Sequence, residues 1–176
     1  MAPDTRLRLA AVKKGLEDII APLIPADADF ANEQLGLILR SIEIVYEQIP
    51  HEEAFLIHDG KAFAALARDL LQEATEETPS LATLRAAIME IDRLVPAVVT
   101  PRAELERAVH TLRLGVEQAV DELGRDPAML AKVGPLVLDF TRRQTQLERR
   151  WVVATGFDPA PGDLPSLKTL LYPTAG

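Results

Sequence analysis

Apolar residues recur along this chain at intervals of three and four, and prolines or glycines punctuate the pattern. That period marks amphipathic helices. A first stretch runs from about Thr5 to Ala21, with Leu9, Val12, Leu16, Ile19 and Ile20 on one stripe, and Pro22 and Pro25 end it. The second, about 28–49, has a main stripe of Leu35, Ile38, Leu39, Ile42, Val45, Tyr46 and Ile49. Leu37 and Ile44 fall almost opposite that stripe at about 100° per residue. A helix that is apolar on two sides is either central in its fold or shared with a partner chain.

Pro50 stops the second stretch. Residues 51–60 read as a short helix broken near Gly60, with a hairpin through Asp59-Gly60 as the alternative. A helix over about 61–76 then turns Phe63, Leu66, Leu70 and Leu71 inward. Three cap–proline pairs follow, Thr78-Pro79, Thr100-Pro101 and Asp126-Pro127, each predicting a helix start. The first opens a helix to about Val95, lined by Leu81, Leu84, Ile88, Ile91 and Val95. The second opens one to Leu123, lined by Leu105, Val109, Leu112, Val116, Ala119 and Leu123. The third opens a short helix, about 127–133, that meets Gly134-Pro135 before a last helix runs to Ala154. That last helix carries Leu136, Phe140, Leu147 and Trp151. The pattern predicts an all-α antiparallel bundle of about six helices over 1–156. A proline-rich C-terminal arm, 157–176, is expected to pack on the bundle or on a partner chain, with Leu164, Leu167, Leu170 and Leu171 as its apolar contacts.

Composition narrows the function. There are 176 residues, no cysteine and a net charge of −8. Without cysteine there are no disulfides, thiolate nucleophiles or cysteine metal sites. The acidic balance argues against a nucleic-acid partner. Charges interrupt the apolar run from Leu7 to Ile24, so no leader or membrane span is expected and a cytoplasmic location follows as the default.

Candidate chemistry is sparse. The glycine-rich phosphate loops, the GxSxG elbow and HExxH are all missing. His51 and His58 lie two helical turns apart, about 10 Å, too far to share one metal ion. No metal or cofactor is expected. His51, His58 and Asp59 form the best acid–base cluster by composition, with Asp59 placed to raise the pKa of His58. His110 is expected to be exposed and paired with Glu106. Residues 142–150 gather Arg142, Arg143, Arg149 and Arg150 against the single acid Glu148. Arg142 and Arg149 lie opposite the apolar stripe and should be solvated. Arg143 and Arg150 flank it, where they can pair with acids such as Asp139, cover the core with their stems, or hold an anion.

The segment Leu-Glu-Asp-Ile-Ile-Ala-Pro at 16–22, then Phe30 and the long helix from Asn32 to Ile49, resembles a family of small all-helical bacterial proteins of unknown function. Those proteins are encoded beside phosphotransferase-like and acyl-CoA dehydrogenase genes. The likeness covers about residues 5–75 and brings no catalytic residues with it. It implies an accessory role.

Two functions fit this reading. One is a non-catalytic helical interaction module, a homodimer through Leu37 and Ile44 with a second protein as a further partner. The other is a bundle that binds, or acts on, an anionic or acylated small molecule through Arg143 and Arg150.

Overall fold

The computed structural model describes residues 4–97, 100–156 and 158–172. The protein is an all-α helical bundle, with 83% of the described residues helical and no strand among them. The helices are α1 (Thr5–Gly15), α2 (Asp29–Gln48), α3 (Glu52–Glu73), α4 (Pro79–Leu94), α5 (Arg102–Leu123), α6 (Pro127–Trp151) and a short α7 (Leu167–Leu171). They divide into two compact units. One comprises Met1–Glu52 with Leu147–Gly176, and the other Glu53–Gln146. The residues of the expected arm fall in the same unit as the N-terminal helices, and of that arm residues 157 and 173–176 lie outside the described residues.

The Glu53–Gln146 unit is built from α3, α4, α5 and α6 with short connections that make successive helices antiparallel. Every position expected to face inward on α5 does so: Leu105, Val109, Leu112, Val116, Ala119 and Leu123 are buried. They join Leu66 and Leu70 of α3, Leu84 and Ile91 of α4, and Val133 and Phe140 of α6 in one core. Gly115 lets α5 approach α4 closely. A Cβ there would stand 3.2 Å from Leu84 Cδ1 and 3.7 Å from Leu84 Cα.

Two of the three cap–proline pairs behave as their chemistry dictates. Thr78 Oγ1 accepts from Leu81 N, with Pro79 at the first helical position. Asp126 Oδ1 accepts from Ala128 N at 2.9 Å, just before Pro127 opens α6. The third works differently. Thr100 Oγ1 donates to the Leu94 carbonyl at 2.8 Å, so it satisfies the end of α4 while Pro101 precedes α5.

Two expected breaks are absent. Gly60 sits inside a continuous α3, so neither a helix break nor a hairpin forms at 51–60. Its bare backbone fits under α4 and α5, where a Cβ would lie 3.1 Å from Val109 Cγ2 and 3.5 Å from Ile91 Cδ1. Pro135 likewise lies inside α6. It cannot donate to the carbonyl of Ala131. Ala131 is exposed, so water can serve that carbonyl, and the helix continues.

In the other unit, α1 starts at Asp4, whose side chain accepts from Arg6 N, and continues through a π turn at Leu16–Ile20 and a 3₁₀ turn at Ala21–Leu23. Asn32 Nδ2 donates to the carbonyls of Pro25 and Ala28, which fixes the turn into α2. Side chains hold α1 to α2: Lys13 reaches Glu43 at 2.5 Å, and the Arg6 guanidinium stacks over Tyr46 at 4.2 Å. The α1 stripe does not form a core. Leu9 and Leu16 are half-buried, while Val12, Ile19 and Ile20 are exposed. Gln48 Nε2 donates to the Trp151 carbonyl at 2.8 Å, and Ser166 caps α7 by accepting from Thr169 N.

Candidate functional site

Asp59 stands on the apolar stripe of α3, four residues before Phe63, seven before Leu66 and eleven before Leu70. That spacing carries its carboxylate into the bundle, where Asp59 is only 3% exposed. Gln144 occupies the matching place on α6, four residues after Phe140, and is buried as well. A buried charge is costly unless it is paired and hydrogen-bonded. Gln144 Nε2 donates to Asp59 Oδ1 at 2.7 Å. Arg113 Nε lies 3.2 Å from Oδ2, and its Nη2 is 3.5 Å from Oδ1. The Arg113 guanidinium also lies 5.0 Å from the centre of the Phe63 ring, which meets Phe140 edge-on at 4.7 Å.

A groove of about 320 Å³ opens beside this cluster, with Phe63, Leu66, Val116, Val137 and Phe140 as apolar lining and Arg113 as its cation. Its one hydroxyl, on Thr141, donates to the Val137 carbonyl at 2.8 Å. A carboxylate clamped by an amide and a guanidinium holds three helices in register. The same groove is also lined by the carboxylates of Glu117 and Asp121.

The sequence-derived candidates fall on both units. His58 and Asp59 belong to the bundle unit and His51 to the other. Burial pushes the pKa of His58 down, and this outweighs the opposing pull of the Asp59 charge, so the upward shift expected from Asp59 is not realised. His51 Nδ1 is buried without a hydrogen-bond partner among the described residues, and its ring lies 6.0 Å from that of Tyr172. Arg143, in the bundle unit, pairs with Asp139 at 2.7 Å on an exposed helix face. Arg150, in the other unit, is half-buried, and its Nε has no hydrogen-bond partner among the described residues. His110 is exposed, as expected, but Glu106 takes Arg102 as its partner at 2.6 Å. Among the described residues no three His, Asp or Glu side chains gather as a metal-binding group, and no helix is long and apolar enough to cross a membrane.

Arg149 departs furthest from its expected solvated position. It binds Asp158 through Nε and Nη2 at 2.8 and 2.9 Å, and Ala160 N also donates to that carboxylate. The Arg149 guanidinium, helped by the Ala160 N–H, holds the Asp158 carboxyl down at about 2. A depressed carboxyl stabilises the fold above its unfolded pKa, about 3.9. That contribution is lost as pH falls through the folded value. Carbon-detected nuclear magnetic resonance should therefore show Asp158 titrating near pH 2. In Arg149→Ala its midpoint should rise toward the ordinary aspartate range, and an unchanged midpoint would show that the pair does not set it.

The candidate interface residues are placed as follows. Leu37 is exposed and Ile44 half-buried on α2. Leu171 is buried, and Leu164, Leu167 and Leu170 are half-buried. An exposed apolar surface runs along α2. Phe30 is 73% exposed and Leu37 is exposed beside it, while Ile38 and Val45, expected on the inward stripe, are instead exposed at the edge of this face, with the uncharged Gln34 and Ser41 between them. This face lies away from the side bearing Glu43 and Tyr46, which α1 covers.

Compared with protein-family models, with curated proteins and with solved structures, the chain finds no match.

The sequence did hold a signal for the Asp59–Gln144 pair: both stand at apolar-stripe positions of their helices. The Asp59-Gly60 pair is also a turn signal, which competes with that place on the stripe.

Proposed function

We propose that this protein is a non-catalytic helical interaction module of the cytoplasm that self-associates as a homodimer through the exposed face of α2. One observation carries the reading. From Phe30 to Val45, α2 presents to solvent a face with four exposed apolar side chains and no charge. Water-facing helix surfaces ordinarily carry charged residues, and contiguous apolar patches mark interaction sites. A second copy is the favoured occupant because two-fold pairing lets one patch meet itself. The bundle unit supplies a rigid, well-packed body, and its buried polar cluster serves architecture.

The proposal is tested with Phe30→Glu and Leu37→Glu, each compared with the parent by size-exclusion chromatography with light scattering. Both side chains are exposed, so the variants should keep the parent's helical circular dichroism. Each should elute as a monomer at concentrations where the parent is a dimer. Variants that associate as the parent does would refute the α2 interface.

A further inference from the structure

The self-association proposed above, on which this inference rests, has a geometry that the charges of α2 specify. Positions 30, 34, 37, 41 and 44 alternate spacings of four and three, the seam of a two-stranded coil. Phe30, Leu37 and Ile44 are its apolar members, and Gln34 and Ser41 its polar ones. One flank of the seam carries Glu33 and Arg40, both exposed and neither ion-paired among the described residues. The other flank carries Ile38 and Val45, both exposed.

Pairing direction follows from these flanks. In a parallel pair, unlike flanks meet, so Glu33 would lie over the partner subunit's Ile38 and gain no counter-charge. In an antiparallel pair, like flanks meet. One antiparallel register sets Glu33 against Arg40 of the partner subunit, twice by symmetry, and places the bulky Phe30 opposite the small Ser41 of the partner subunit. Slipping that register by one heptad brings Arg40 against Arg40 of the partner subunit and Glu33 against the partner's Glu47, which is repulsive. We infer that α2 pairs antiparallel with a second copy of this chain across a two-fold axis, Glu33 of each copy facing Arg40 of the other.

The shared segment, residues 30–41, is about 18 Å long at 1.5 Å per residue. An interface of that size belongs with the weak, transient class, so dissociation constants on the order of 10 μM are expected.

The experiment is a charge-reversal cycle read by sedimentation velocity on the full chain: parent, E33R, R40E, and E33R with R40E. Each single reversal replaces two attractive contacts by two repulsive ones and should weaken association roughly tenfold. The double reversal should return it to within about twofold of the parent, and high salt should narrow the differences. Single reversals without effect, in a parent that Phe30→Glu still dissociates, would overturn the antiparallel register while leaving self-association intact. A double variant as weak as the singles would overturn it too. A parent that is monomeric at every concentration would remove both this geometry and the reading it rests on.

Discussion

Leu112→Ala should destabilise the protein by about 3–4 kcal/mol, the cost of deleting a fully enclosed leucine and leaving a cavity. Leu112 is 0% exposed, at the centre of α5, and α5 is the helix whose inward positions are all buried. Its surroundings have little freedom to collapse, because Gly115 already brings the α5 backbone against Leu84 of α4. Leu114, two residues along the same helix, is exposed and serves as the control. Leu114→Ala should change stability by less than about 0.5 kcal/mol. Urea unfolding followed by circular dichroism compares the two. Similar losses from both substitutions would mean that α5 is not the packed centre described above.

Asp59→Ala is expected to cost about 3 kcal/mol, since it strips a buried polar pair of one partner. Gln144 would keep its amide in the bundle without the Asp59 acceptor. Arg113, 43% exposed at its side chain, can turn to solvent, which holds the loss below that of a fully enclosed ion pair. Asp59→Asn separates the two contributions. It keeps an acceptor for Gln144 Nε2 and removes the charge that Arg113 neutralises, so its cost should be about 1 kcal/mol. Urea titrations of both variants at neutral pH make the comparison. Equal costs would assign the whole effect to the ion pair, and an Asp59→Ala as stable as the parent would show that the cluster does not hold the bundle.

How legible the fold was depended on how local its causes are. The α5 stripe is visible in the sequence because an unbroken period from Leu105 to Leu123 meets no competing signal, and all six of its residues are buried. The starts at Thr78 and Asp126 follow from side-chain capping within three residues, which tertiary contacts need not assist. Gly60 and Pro135 are different. Each is a local breaker overruled by its setting: Gly60 by the close approach of Val109 and Ile91, and Pro135 by an exposed turn that water can complete. The all-helical class was therefore readable, while the continuity of α3 and α6 was not.

The candidate site was less legible for a related reason. The sequence sets Asp59 beside His58, but in the fold its carboxylate accepts from Gln144, eighty-five positions away, and pairs with Arg113. The helical wheel places Arg149 toward solvent, and it carries no information about Asp158 beyond the end of the helix. The second apolar face of α2 was visible from Leu37 and Ile44. The exposure of Phe30 and Ile38, which widens that face, required the position of α1 on the opposite side of the helix.

The central claim is that the α2 face binds a second copy of the chain. Sedimentation equilibrium of the unmodified protein, over roughly 1 to 300 μM, tests it most directly by bracketing the micromolar association expected of a small interface. The account predicts a weight-average mass that rises with concentration from the chain mass of 19.3 kDa toward twice that value. A mass that stays at 19.3 kDa across the whole range would contradict it.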